Sequence, residues 1–372
     1  MTGIEGRLVR YADLRACTNA FVDTRTPGSD RKENFTIVGP GVSENPNQHV
    51  HIPEPHGFNI GAARQPGGCL NSQHSHETAE VFVVHSGHWR FLFGAEAGSD
   101  GHLDAGPGDV VTVPVHMFRG FAKRDEGTGF LWVVLGGDDP GKVTWAPKVF
   151  DLARQYGLVL LKGGRLVDTT VGETVPAGAE LETAPTAELI ARLATPSLDR
   201  LAQGVVRGAD MRGFAGSPLA GPGVEECPVI VPTDTADGFP AGPVVGWWRH
   251  GFNLRCLKLA TGAVVPAHVR GEEEVVFVHS GTLAVTTDAG TTTMAAGDTF
   301  TTPKGAARTI ALRKGDSAGR QHRRGDRRRQ RRAVLYRVAG LGRRQERAGG
   351  RDRGTAAAGR GHDHAGGRRR AR

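Results

Sequence analysis

The chain has 372 residues, among them 54 Gly, 21 Pro and 4 Cys, with 6% aromatic residues and a formal net charge of +8. This length suits two globular units with cores of their own, and frequent Gly and Pro between short segments favours a β-sandwich or barrel over a helical bundle. No apolar run reaches the about 20 residues of a membrane span, no secretory leader pattern opens the chain, and the cysteines lack CxxC spacing, so a soluble cytoplasmic protein is expected.

Residues 1–30 read as an N-terminal arm. "QHVHIPEPH", with His49, His51 and His56, contains an H-x-H pair but no glutamate at ligand distance, which suits an edge strand. The stretch Gly67–Gly87, "GGCLNSQHSHETAEVFVVHSG", is different. On strands, residues two apart share a face, so His74, His76, Glu80, Phe82 and Val84 point one way while Val81, Val83 and His85 point the other. Two neutral imidazoles and a carboxylate on one face supply three metal ligands and leave open positions. A glutamate buried in an apolar barrel without a cation is costly, which argues for a partner. A hydrogen-bonded cluster of the same three residues is the alternative.

The segment beginning at His56 aligns without a gap on "HGFNLRCLKLATGAVVPAHVRGEEEVVFVHSG" from His250, an offset of 194. His74 falls on His268, His76 on Arg270 and Glu80 on Glu274. A second block repeats as "GDVVTVP" from Gly108 and "GDTFTTP" from Gly297. The chain is therefore a tandem duplication. Between the copies, Val149, Leu152, Ala153 and Tyr156 after Pro147 predict a helix, and "TAELIARLA" from Thr186 predicts another.

Residues 313–372 hold 20 Arg and 1 Lys against 5 Asp or Glu, leaving 26 basic and 34 acidic residues in positions 1–312. An acidic body thus carries a basic tail. The tail reads as a phosphate-binding arm, as a solvated disordered segment, or as a GC-rich gene read in a shifted frame. Nucleic acid is not the expected partner, because no aromatic residues are interleaved with the charge. "AVLYRVAG" from Ala333 could close the second copy after a long charged loop; otherwise that barrel is incomplete.

Gly68, His74, His76, Glu80 and Gly87 fit the first motif of the cupin superfamily, G-x5-H-x-H-x3-E-x6-G, at every position. Gly108 and Pro114 fit the start of its second motif, G-x5-P-x-G-x2-H-x3-N, with His116 in place of the glycine and Arg119 in place of the histidine ligand. In the second copy Gly262, His268, Glu274, Gly281, Gly297, Pro303 and Gly305 match, with Arg270 and Arg308 replacing histidines. The resemblance covers roughly residues 50–312. It implies an all-β bicupin of two antiparallel jelly-roll barrels: 31–146 for the metal-binding barrel, 147–222 for a helical connection, 223–312 for a barrel without a metal site, and a disordered tail.

The resemblance carries over His74, His76 and Glu80 as ligands of one divalent transition metal, Fe first, with Mn, Ni, Co or Zn as alternatives. His116 is a candidate extra ligand. Glu80 and Arg119 are the candidate catalytic residues, with Arg119 holding the anionic end of a substrate. In the second cup Arg270 and Glu274 read as an internal ion pair, and His268, Arg270, Glu274 and Arg308 as a candidate anion pocket. The leading expectation is an oxidoreductase similar to quercetinase-like dioxygenases, acting on a small enol, catechol or flavonol-like molecule. A non-oxidative isomerase or lyase, or a cupin that binds a small acid without turnover, are the alternatives. The expected partners are the substrate and further copies of the chain.

Overall fold

Side-chain alternation along the strand Glu80–Ser86 feeds two cores at once. Phe82 and Val84 pack inside the first barrel, while Val81 and Val83 pack into a core outside it. Glu274–Ser280 repeats the device, with Val276 and Val278 inside the second barrel and Val275 and Phe277 in the same outer core. The computed structural model describes residues 3–232, 239–244, 248–312 and 332–341. In it the two barrels stack through their larger sheets, and Trp132 lies flat on Phe277 with ring centroids 4.9 Å apart.

In the first barrel the larger sheet has seven strands, in the order Val205–Val206, Val110–Val113, Glu80–Ser86, Gly129–Gly136, Phe58–Gln65, Glu33–Val38 and Val50–Ile52. The facing sheet has five, in the order Val143–Trp145, Leu70–His76, Arg119–Lys123, Trp89–Phe93 and His102–Ala105. In the second barrel a six-stranded sheet runs Leu8–Val9, Thr299–Thr302, Glu274–Ser280, Arg332–Gly340, Phe252–Ala260 and Val224–Ile230. Its partner sheet has four strands: Val264–His268, Arg308–Leu312, Leu283–Thr287 and Gly290–Met294.

Each barrel borrows an edge from sequence assigned above to a linker. Leu8 and Val9, from the N-terminal arm, pair with Phe300 and Thr299 of the second barrel. Val205 and Val206, from the connection, pair with Val111 and Val110 of the first. Covering the edges in this way removes two rows of open backbone donors and acceptors. His250 spans the two barrels, its Nε2 lying 2.7 Å from Thr112 Oγ1.

The boundary at residue 312 requires correction. Arg332–Gly340 lies centrally in the six-stranded sheet, pairing with Phe252–Ala260 on one side and Glu274–Ser280 on the other. Ala333, Leu335 and Val338 are buried, so enough apolar area leaves water to hold this strand among arginines. The second barrel is thus closed, and its last strand is the one that starts beyond the charged stretch. The disorder expected over residues 313–332 and 340–372 does not hold for Arg332 and Gly340, which bound the strand, and apart from these and Leu341 it falls outside the described residues.

Helices occupy Pro147–Gln155 and Ala187–Arg192, the latter capped by the Thr186 side chain, which accepts from Leu189 N. Val149, Phe150 and Ala153 pack against Trp145 beside the first barrel. A third helix, Leu198–Ala202, lies in the connection. No helix among the described residues is long and apolar enough to cross a membrane.

Candidate functional site

Strand Leu70–His76 brings His74 and His76 to the inner face of the first barrel, and Glu80 opens the next strand after a three-residue turn. One ligating atom from each of these residues lies within 4.8 Å of the others, and all three side chains are buried. Their placement follows from the period-2 pattern of the two strands. The edge-on packing of the His74 and His76 rings, with centroids 5.0 Å apart, keeps both imidazoles turned to the same space.

The electrostatics of the trio suit a ligand set. Burial, with the nearby Arg119 charge, holds both imidazoles well below their ordinary range, so their lone pairs are free of protons at neutral pH. His74 Nδ1 lies 2.7 Å from Ser72 O, which fixes the proton there and frees Nε2. His76 Nδ1 is buried with no hydrogen-bond partner, and His76 Nε2 is 3.7 Å from Glu80 Oε1. Burial pushes the Glu80 carboxyl up, against the pull of Arg119.

Arg119 stands directly opposite His74 in the strand pair, just before a β-bulge. At Gly120 a Cβ would meet Asn71 O at 2.5 Å, so this close approach of the two strands requires glycine. From this position Arg119 donates through Nε and Nη2 to Glu80 Oε2, at 3.1 and 2.6 Å, and through Nη1 to His74 O at 3.1 Å. The guanidinium is 1% exposed and fully engaged, and it does not line the adjacent cavity. The expected grip of Arg119 on a substrate anion is therefore replaced by a grip on Glu80.

His116 is exposed, in a left-handed turn at φ 58°, where the family motif has glycine. Its backbone N–H donates to His76 O at 3.0 Å, but its side chain is outside the trio, so the candidate extra ligand does not join the site.

A divalent cation fits the trio on three counts. The donors are two neutral imidazoles and a carboxylate, they converge, and Glu80 Oε1 and the His76 imidazole are not taken up by Arg119. The charge on Arg119 opposes the fit, because it holds the other Glu80 oxygen and brings a second positive charge to the fourth-ligand position.

The trio forms one wall of a cavity of about 70 Å³, otherwise lined largely by apolar groups such as Phe82, Phe121, Val133, Leu135 and Trp145. Outside it lies a cleft of about 450 Å³ that shares Trp145, Val143 and Ser43 with the inner space. Trp145 is held by Glu44, whose Oε1 accepts from the indole N–H at 2.6 Å, and its ring lies 5.2 Å from that of His74. Behind His74, Lys32 forms a buried ion pair with Asp23 and donates to Asn71 Oδ1 at 2.9 Å. Lys32, Asp23 and Glu44 were not singled out in the sequence, because each is isolated from the histidine motif and meets it only through the fold.

In the second cup, Arg308 stands opposite His268, as Arg119 does opposite His74. Glu274 accepts from Arg308 Nε at 3.0 Å and from Arg337 Nη2, while Arg270 Nε is farther away at 4.0 Å and closer to Glu272, at 3.5 Å. Arg337 also donates to Glu226 at 2.6 Å. The main partners of Glu274 are thus Arg308 and Arg337 rather than Arg270. His268 turns its Nδ1 to Pro266 O at 2.9 Å.

Residues 256–318 match the cupin domain family. In fold the chain is similar to oxalate decarboxylase from Bacillus subtilis, at 13% identity and a TM-score of 0.51, over 91% of this chain and 78% of that one. It is likewise similar to a formate complex of oxalate decarboxylase from Lactobacillus farciminis, at 14% identity and a TM-score of 0.50, over 90% and 85%. A further structure of the B. subtilis enzyme, at 13% identity and a TM-score of 0.51, concerns its Mn(II) centres. No curated protein matches the chain in sequence. Residues 256–318 thus carry a cupin domain match, and the paired barrels share the fold of the oxalate decarboxylases. None of these matches points specifically to a quercetinase-like dioxygenase, and none singles out iron.

Proposed function

We propose that the first barrel is a metal-dependent cup for a small carboxylic acid and that its chemistry is of the lyase type, the non-oxidative alternative raised from the sequence. The observation that carries this reading is the convergence of His74, His76 and Glu80 on a small, largely apolar cavity of about 70 Å³. A flavonol-sized molecule needs a pocket several times larger, since sites for drug-sized ligands run to about 300–1,000 Å³. An acid of a few heavy atoms suits the inner space, and the oxalate and formate named for the fold neighbours belong to that size class.

His74, His76 and Glu80 Oε1 would hold the cation, with manganese a candidate beside iron. When bound, a divalent metal supplies a Lewis acid that polarises a carboxylate or enol oxygen. The protein's own part is orientation and dryness. The Ser72 carbonyl sets the His74 tautomer, Arg119 fixes the rotamer of Glu80 through Oε2, and Phe82, Phe121 and Trp145 keep water from a developing carbanion.

The test is to incubate manganese- or iron-loaded protein with two- to four-carbon acids and follow substrate mass and released carbon dioxide, with an oxygen electrode alongside. Loss of carbon dioxide without net oxygen uptake supports the reading, and stoichiometric oxygen consumption returns the dioxygenase. A second reading, binding without turnover, is favoured by the recurrence of the Arg119–Glu80 pair as Arg308–Glu274 in a cup that lacks the second histidine. A ligand recovered with unchanged mass would select it.

A further inference from the structure

The inner cavity carries a donor that nothing in the fold uses. Asn34 lies on the strand Glu33–Val38, and its backbone is tied on both sides to Cys17, donating to Cys17 O at 3.1 Å and accepting from Cys17 N at 2.8 Å. The residue is only 7% exposed, it lines the cavity together with His74, His76 and Glu80, and its Nδ2 has no hydrogen-bond partner among the described residues. Buried polar groups are nearly always paired, so such a group calls for a partner.

Outside His76 and the free Glu80 oxygen, other polar groups of the cavity are already committed. Arg119 is consumed by Glu80 and the His74 carbonyl, and the Asn71 amide oxygen accepts from Lys32. Thr36, two residues along the same strand and therefore on the same face as Asn34, has its hydroxyl oxygen engaged by Gln48 Nε2. That contact leaves Gln48 Oε1 buried and without a partner at the cavity wall. Beyond the trio, the wall thus offers an unpaired amide N–H₂ and an unpaired amide oxygen. No lysine or arginine lines the cavity, so none competes there for an anion.

We infer that Asn34 is the anchor for the carboxylate of the ligand, and that Gln48 Oε1 receives the hydrogen of a hydroxyl or enol group on the neighbouring carbon. This rests on the small-acid reading of the first cup and narrows it to two- to four-carbon 2-hydroxy acids or enolised 2-oxo acids. Asn34 is a specificity-determining residue here. The carboxylate accepts from Nδ2, the hydroxyl donates to Gln48, and both unpaired amides are satisfied in one step.

The experiment uses the full-length chain loaded with Mn²⁺, with metal content measured for every variant, and titrates glycolate and acetate by calorimetry. Asn34→Asp keeps the shape of the side chain but replaces the donor with a carboxylate, and it should weaken glycolate binding about tenfold or more at unchanged metal content. Gln48→Leu should erase the preference for glycolate over acetate. Asn34→Ala should lose the same affinity while leaving the ligand-free melting temperature near wild type, because it removes an unsatisfied group. A structural asparagine would instead cost stability. Glycolate binding by Asn34→Asp and Asn34→Ala within twofold of wild type overturns the inference. If the wild type takes up no metal, the metal reading fails by itself, and the same comparison on metal-free protein decides for or against Asn34. Absence of acid binding in the wild type under both conditions overturns both.

Discussion

Arg119 holds Glu80 in the first barrel through the same kind of contact by which Arg308 holds Glu274 in the second, guanidinium to buried carboxylate from the strand position facing the motif histidine. The pair that accompanies the candidate ligands in one cup therefore persists where the second histidine is Arg270. In the second cup arginines supply the positive charge beside the buried carboxylate. In the first cup Arg119 would compete with a bound metal ion for Glu80.

Replacing that competitor should strengthen metal binding. Arg119→His places an imidazole at the fourth-ligand position of the motif and removes a positive charge, and its Mn²⁺ affinity should rise at least about tenfold, one charge-assisted contact at about 1.4 kcal/mol. Arg119→Ala, without metal, leaves Glu80 buried and unpaired at a cost of about 3–5 kcal/mol, most of which metal should restore. Melting curves with and without Mn²⁺ check both. Equal metal affinity in Arg119→His and wild type would contradict the competition.

The second cup predicts a particular acid limb. Burial pushes the Glu274 carboxyl up, but Arg337, Arg308 and Arg270 together outweigh it and bring the carboxyl down to about 2. A depressed carboxylate contributes stability that is present above its unfolded value and is lost as pH falls from about 4.5 towards 2. The contribution is on the order of 3 kcal/mol. Glu274→Gln should be strongly destabilised at pH 7, and the gap to wild type should narrow as pH drops through that window. A gap independent of pH between 5 and 2 would remove the carboxylate from the account.

Glu44 predicts the opposite slope. Burial raises its carboxyl to about 8, against hydrogen bonds from the Trp145 indole and the Val22 amide. A raised carboxyl contributes stability that is fully present below about 4.5 and is lost as pH rises towards about 8. The loss is at most about 1.4 kcal/mol per pH unit. The stability difference between wild type and Glu44→Gln, measured by urea unfolding from pH 5 to 8, should therefore shift in favour of the variant as pH rises. A constant difference would show that Glu44 stays ionised throughout.

Much of this molecule was legible in the chain. The alternation of Val81 and Val83 with Glu80, Phe82 and Val84 is local, and it sends the two sets to separate cores. The H-x-H spacing puts His74 and His76 on one face by the same rule. Contacts that join distant segments were not legible. Arg337 reads as one more arginine of a basic tail, and only the insertion of its strand beside Glu274 makes it the partner of a buried carboxylate. Leu8 and Val9 pair almost 300 positions away, with no local pattern to signal it. Asn34 belongs to no motif, and its meaning depends on which atoms around it are already paired.

Metal content tests the central claim most directly. Protein purified without chelator and analysed for Mn, Fe, Co, Ni and Zn should carry about one transition-metal ion per chain, and His76→Ala, folded by circular dichroism, should carry almost none. A wild type that stays empty after equilibration with each of these metals, or a His76→Ala protein that retains its metal in full, would contradict it.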